Sequence, residues 1–260
     1  MEPNKLKVAL KEGKTVYGSW LSLSSPSAAE IMAEAGHDFL LIDGEHSAAT
    51  NETIQVMLMA LKGSDCTPVV RVAWNDPVRI KQALDLGAPA ILIPMVNSGE
   101  EALAAVRACR YPPAGIRGVA GARASHWGGE LKDYLRNAND NTVIILQVEH
   151  PDAVENVDDI VGVDGIDVCY VGMADLAGFL GVAPDEADGN PVVEKALERV
   201  VVAAQKAGVP LGIHCGPADS AAMRAKQGFT FVAVGGDSRY VRAGARDTLK
   251  DLKRRVAEGR

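Results

Sequence analysis

Two carboxylates stand where two apolar runs end. Glu149 closes TVIILQVE (142–149), and Asp175 lies just past IDVCYVG (166–172). Both runs are apolar and β-branched almost throughout, the composition of strands buried on both faces of a parallel sheet. A carboxylate at such a strand end stands on the sheet's carboxyl edge, where α/β proteins build their sites. Two of them, one βα unit apart, can hold a hard divalent cation through oxygen ligands. Alternation puts Gln147 on the same inward face as Glu149. Polar side chains there must pair or ligate, because burial without a partner is costly. The alternatives are a hydrogen-bonded polar pair without a metal and, for Asp175, a helix N-cap within GMADL.

A second group lies earlier in the chain. Asp43-Gly44-Glu45-His46 follows an apolar run, which puts Asp43 and His46 at the same edge. Histidine is the side-chain type that exchanges protons near neutrality, which makes His46 a candidate proton carrier. Arg71, in VVRV, points the same way and must meet an anion, either Asp43 or a substrate carboxylate. A cation chelated by a 2-oxo acid polarises its carbonyl and stabilises the enolate formed by carbon–carbon cleavage or proton removal. Arg71 facing that oxyanion is worth ~10²–10³ in rate, and a proton moved by His46 is worth ~10²–10⁴. No lysine stands at a strand end, which disfavours a Schiff-base aldolase. There is no GxGxxG after a strand, no P-loop and no serine nucleophile elbow.

The elements that must position these residues alternate regularly. Strands are expected at 16–23, 39–43, 69–72, 90–94, 143–149, 166–172, 210–214 and 231–234. Helices are expected at 27–35, 50–62, 77–86, 99–110, 151–160, 192–207 and 218–227, most of them ending at glycine. Eight strands alternating with helices predict one α/β domain over residues 1–260, a single (β/α)8 TIM-type barrel; an open doubly wound sheet is the alternative. Residues 238–260 read as a basic helix docking on the barrel or on a neighbouring subunit. Residues 111–130 are rich in Gly, Pro and Arg without a period, the mark of a functional or subunit-contacting loop. Residues 181–190 read as an acidic solvated loop.

Composition narrows the function classes. The 260 residues are 47% apolar and carry a formal charge of −7, which argues against nucleic acid as a partner. The four cysteines are widely spaced with no CxxC pair, as in a reducing cytoplasm. The charged N-terminus has no apolar core of a signal peptide, and no run approaches a membrane span. A cytoplasmic location is the expectation.

With these residues in place, the chain resembles the metal-dependent class II hydroxy-oxo-acid aldolases of the phosphoenolpyruvate/pyruvate barrel superfamily, the 4-hydroxy-2-oxoheptanedioate aldolase-like family. The resemblance spans about residues 18–240. It rests on LLIDGEH (40–46), PVVRV (68–72), KQALDLGA (81–88), IPMV (93–96), RYPPAGIRG (110–118), LQVE (146–149), VGMADL (171–176) and FVAVGGD (231–237). It implies reversible cleavage of a 4-hydroxy-2-oxo acid to pyruvate and an aldehyde through an enolate, with Mg²⁺, Mn²⁺ or Co²⁺ as cofactor. It further implies Glu149 and Asp175 as metal ligands, Gln147 as a pyruvate contact, Arg71 as enolate stabiliser and His46 as base. Asp85 would raise the basicity of His46. Gly172 and Ala174, where a helix begins, would take the pyruvate carboxylate. Asp43, Trp20 and His126 are supporting candidates. A homohexamer, a trimer of dimers, is implied, with the 117–127 loop reaching a neighbour's site. Met173 departs from the family's usual proline, and His150 and His214 have no assigned role. The alternative activities are decarboxylation or condensation of another 2-oxo acid such as oxaloacetate, or a catalytically silent metabolite-binding barrel.

Overall fold

In the computed structural model, which describes residues 2–259, the strands close into one parallel barrel in sequence order. They are β1 (Val16–Leu21), β2 (Phe39–Asp43), β3 (Thr67–Arg71), β4 (Ala90–Ile93), β5 (Val143–Val148), β6 (Val168–Val171), β7 (Leu211–Cys215) and β8 (Phe229–Gly236). The expected (β/α)8 barrel is therefore the observed fold, and the open sheet is excluded. Strand ends differ from the sequence reading by a few residues, β8 most, because pairing rather than apolar content sets them.

Alternation sorts each strand into two cores. Inward residues such as Val16, Leu41, Val69, Leu92, Ile145 and Tyr170 fill the barrel. Outward residues such as Leu40, Val70, Ile91, Ile144, Val171 and Ile213 pack beneath the helices. Glycines make the interior fit. Phe39 and Phe231 stack across β1 with centroids 3.8 Å apart, and a Cβ on Gly18 would overlap the Phe39 ring and carbonyl. A Cβ on Gly212 would lie 2.6 Å from the Tyr170 ring.

The helices are α1 (Lys5–Lys11), α2 (Pro26–Glu34), α3 (Asn51–Ala60), α4 (Pro77–Asp85), α5 (Gly99–Cys109), α6 (Leu131–Asn141), α7 (Pro151–Glu155), α8 (Val157–Val161), α9 (Met173–Phe179), α10 (Pro191–Ala207), α11 (Ala218–Lys226) and α12 (Asp237–Ala257). Three depart from expectation. Helix α1 plugs the amino end of the barrel: Leu6 and Leu10 join the interior core, and buried Lys7 donates to Thr142 O at 2.7 Å and Asp167 at 3.1 Å. Helix α6 escaped the sequence reading because polar residues dilute its buried Tyr134 and Ala138. The helix expected over 151–160 is two short helices broken at Asn156.

The loop at 111–130 contains one 3-10 turn, Arg123–Ser125, and is locked from within. Arg117 is fully buried, stacked 4.5 Å from the Tyr111 ring centroid and bonded to Asp85 at 2.7 Å. The 181–190 loop is likewise not simply solvated: Asp188 accepts from buried Arg224 at 2.6 Å. Of the expected helix 238–260, Arg260 lies outside the described residues. Helix α12 meets the barrel through its first turn, where Tyr240 Oη donates to Val234 O at 2.8 Å. Beyond that turn Val241, Leu249, Leu252 and Val256 are exposed, so it does not dock on its own barrel. Replacing Gly18 with Ala should cost about 1–3 kcal/mol through overpacking, measurable as a fall of several degrees in Tm.

Candidate active site

The barrel's register builds one half of the site without a loop. Asp43 on β2 lies opposite Arg71 on β3, and both are buried above the inward core. Arg71 donates from Nε to Asp43 Oδ1 at 3.0 Å and from Nη2 to Oδ2 at 2.7 Å. Its Nη1 lies 3.1 Å from Glu45 Oε2, and its guanidinium carbon is 4.3 Å from the Trp20 ring centroid. Burial pushes Asp43 up, but the Arg71 hydrogen bonds and charge overcome it and hold the carboxyl below its ordinary range. Glu45 ends above its ordinary range: desolvation exceeds the attraction of Arg71 and His46, and Asp43 and Asp175 repel it.

Asp43 Oδ1 also accepts from the backbone N–H groups of Glu45 and His46, at 3.0 and 3.1 Å. That turn fixes the loop carrying His46, whose exposed imidazole stands with Nε2 3.9 Å from Glu45 Oε2. Glu45, which the sequence reading did not single out, thus bridges the guanidinium and the imidazole. Its signal was its place inside DGEH.

Opposite this pair, Glu149 is anchored twice. Its Oε1 accepts from the Met95 N–H at 2.8 Å and its Oε2 from Gln147 Nε2. Gln147 Oε1 is buried and has no partner. Glu149 is pushed up to about 7, chiefly by burial; the Met95 and Gln147 hydrogen bonds oppose this, while Asp175 and Glu45 reinforce it. A Cβ on Gly172 would come within 2.7 Å of Glu149 Cβ and 2.8 Å of Gln147 Nε2, so only glycine leaves that space open. Gly172 is the N-cap of α9, and Asp175 sits within the first turn rather than capping it. No side chain caps this turn, where Ala174 is exposed.

The donor set suits a divalent cation. Glu45, Glu149 and Asp175 repel one another, and the nearby guanidinium already pairs with Asp43 and Glu45. A dication would cancel that excess and lower the Glu149 pKa. Among the described residues no three His, Cys, Asp or Glu side chains form a complete cage. Two carboxylates with open positions are what Mg²⁺-type sites use, the rest coming from water and substrate.

Other candidates fall elsewhere. Trp20 lies inside the mouth, edge-on to Tyr170 and His214 at 6.4 and 6.2 Å between centroids. Asp85 ends α4 and bonds Arg117; within the chain it does not meet His46, because a barrel helix ends at the amino face. His126 is exposed, with Nδ1 3.7 Å from Glu130, and lines a cleft of about 670 Å³ at the amino end, away from the carboxylates of the site. His150 caps α7, accepting from the Asp152 N–H at 3.2 Å. His214 points inward from β7, pushed down to about 4 by burial and by Arg239.

His214 gives a pH prediction. An imidazole that stays neutral when folded takes up its proton only on unfolding, so its contribution is complete above pH ~6.5 and is lost as pH falls toward ~4. Urea titrations should show His214→Leu losing up to about 3 kcal/mol less than wild type over that window. The wild-type comparison isolates this group, because the raised Glu149 acts in the opposite direction.

The comparisons with known proteins agree with the fold. Residues 16–243 match the HpcH/HpaI aldolase/citrate lyase family. A 4-hydroxy-2-oxo-heptane-1,7-dioate aldolase of Shigella sonnei is 44% identical over 237 residues, 90% of this chain and 89% of that protein. An HpcH/HpaI aldolase/citrate lyase family protein of Burkholderia cenocepacia superposes with a TM-score of 0.92 at 38% identity, over 96% of this chain and 99% of that one. A structure described as a citrate synthase superposes with a TM-score of 0.87 at 27% identity, over 97% and 98% of the two chains. With its barrel, its match over most of its length and relatives of this identity, the chain belongs to the HpcH/HpaI aldolase/citrate lyase family.

Proposed function

We propose that this protein is a metal-dependent aldolase that reversibly cleaves a 4-hydroxy-2-oxo acid to pyruvate and an aldehyde. The observation that carries the reading is the convergence of Glu149, Asp175 and Glu45 on a mouth whose guanidinium is already clamped by Asp43. Glu149 and Asp175 would hold Mg²⁺, Mn²⁺ or Co²⁺. When bound, that ion supplies Lewis-acid polarisation of the 2-oxo group.

The chain's own residues divide the remaining work. His46 takes the proton of the C4 hydroxyl. The oxygen's electron pair closes the aldehyde carbonyl, the C3–C4 bond breaks, and its pair passes to the C2 oxygen. Arg71 faces that growing negative charge; Asp43 fixes one edge of the guanidinium so that Nη1 remains toward the site. Gln147 holds Glu149 and offers its unpartnered Oε1 to the mouth. The uncapped first turn of α9 receives the pyruvate carboxylate at Gly172 and Ala174. Protonation of the enolate at C3 completes pyruvate, and the reverse sequence makes the new bond.

The resemblance to a citrate synthase supports a second reading, turnover of oxaloacetate or another 2-oxo acid on the same residues. Comparing kcat/KM for oxaloacetate with that for a hydroxy-oxo acid separates the two. The exposed apolar stripe of α12 and the exposed Trp127 support a homo-oligomer, read here as a hexamer built from dimers, in which Asp85 and the 117–127 loop would approach a neighbour's His46. The four cysteines are buried and free, in keeping with a cytoplasmic setting. Among the described residues no helix is long and apolar enough to cross a membrane.

Purified protein given pyruvate, an aldehyde and Mn²⁺ should form a hydroxy-oxo acid, and EDTA should abolish it. Glu149→Ala should lose at least ~10³ of the rate while keeping its circular dichroism spectrum, and Mn²⁺ should raise the Tm of wild type but not of the variant. Pyruvate methyl protons that fail to exchange would remove the enolate and the proposal with it. Light scattering of Leu249→Asp/Leu252→Asp should show a smaller assembly than wild type; an unchanged mass would exclude α12 from the interface.

A further inference from the structure

The carboxylate of Glu149 is aimed by backbone in an unfavourable conformation. Its Oε1 accepts from the Met95 N–H at 2.8 Å, and Met95 stands in the left-handed region, with φ at +54°. Residues with a Cβ rarely adopt that conformation, because the Cβ crowds the neighbouring carbonyl. Among the described residues Ser24, Met95, His126 and Trp127 are the non-glycine residues with positive φ. Of these four, Met95 is the one whose N–H reaches a carboxylate of the site.

The sequence Ile93-Pro94-Met95-Val96 shows how the strain is held. Strand β4 ends at Ile93. Pro94 is buried, fixes its own φ and has no N–H with which to extend the ladder. Val96 is fully buried in the core beneath the helices, and its N–H donates to Gln147 O at 3.3 Å. Between these two anchors the chain turns at Met95. The turn directs two consecutive N–H groups toward the end of β5, one to the Gln147 carbonyl and one to the Glu149 carboxylate. Gln147 in turn holds the second oxygen of Glu149 through Nε2, so a single turn governs both supports. Met95 itself is only partly buried, and side-chain packing does not account for a strained residue there. Strain of this kind persists where surrounding contacts over-determine it, and it gathers at functional sites.

We infer that Met95 is a positioning residue for the cation, its left-handed turn holding Glu149 in the ligating orientation before the ion arrives. The inference rests on the reading of Glu149 as a metal ligand and deepens it. A carboxylate oxygen has two lone pairs, so Oε1 accepts from Met95 and still has one to offer an ion. A ligating group fixed by such a hydrogen bond need not be ordered when the metal binds. The requirement falls on the backbone rather than on the side chain. Residues at position 95 should therefore rank by their tolerance of positive φ and not by size or apolarity. Glycine adopts that conformation freely and asparagine readily, whereas β-branched valine resists it most.

The test measures Mn²⁺ affinity by titration calorimetry, which needs no turnover. Met95→Asn and Met95→Gly should bind Mn²⁺ as wild type does. Met95→Val should weaken binding by about ten- to a hundredfold, the range for a lost partner of a ligating group. Replacing the amide at residue 95 with an ester removes the N–H, keeps the methionine side chain and should weaken binding by the same range of about ten- to a hundredfold. An affinity that follows apolar bulk, kept in Met95→Val and lost in Met95→Gly and Met95→Asn, would overturn the inference. So would equal losses in every variant, or an ester that binds like wild type. If Met95→Val does not fold, Met95→Asn and the ester decide between the same outcomes. A wild type that binds no Mn²⁺ would instead remove the metal-ligand reading itself.

Discussion

Keeping a guanidinium buried in the mouth of the barrel is the constraint from which the rest of the site follows. Arg71 is only 7% exposed, and an isolated charge there would cost several kcal/mol of desolvation. Strand register answers this by setting Asp43 directly beside it, so the clamp is part of the sheet rather than of a mobile loop. Because Asp43 also gathers the N–H groups of Glu45 and His46, the same carboxylate positions the exposed imidazole. Trp20 backs the guanidinium from the other side.

That solution creates a second problem on the opposite wall. Glu45 shares Arg71 with Asp43, which leaves Glu149 and Asp175 without a cation of the protein's own. Burial is the main cause of the upward shift of Glu149, and the repulsion of Asp175 and Glu45 adds to it. A protein selected only for stability would gain by removing such a cluster. Its retention beside the open space over Gly172 makes physical sense when a dication and an anionic substrate bind together.

Much of this chemistry depends on positions that lack a side chain. Gly18 lets Phe39 and Phe231 stack inside the barrel, Gly212 admits the ring of Tyr170, and Gly172 keeps the space beside Glu149 free. The first two make a rigid floor of aromatic rings, and the third makes room above it. Rigidity below and openness above come from one device, the absence of a Cβ where the backbone closely approaches inward-facing side chains.

The sequence by itself determined the barrel and the identity of most of its polar rim. Eight apolar runs alternating with capped helices admit few topologies, and period-two alternation points Gln147, Glu149 and Arg71 inward wherever the strands close. Helix α6 and the amino-terminal plug were illegible, because a helix with two buried residues, or one whose lysine is buried among distant carbonyls, carries little periodic signal. Tertiary structure alone decided which charges meet. Pairing placed Asp43 and Glu45 on Arg71 and sent Asp85 to Arg117 at the other end. Those outcomes depend on register and on which face a strand or helix ends, quantities fixed by contacts between residues far apart in the chain, which spacing along it does not encode.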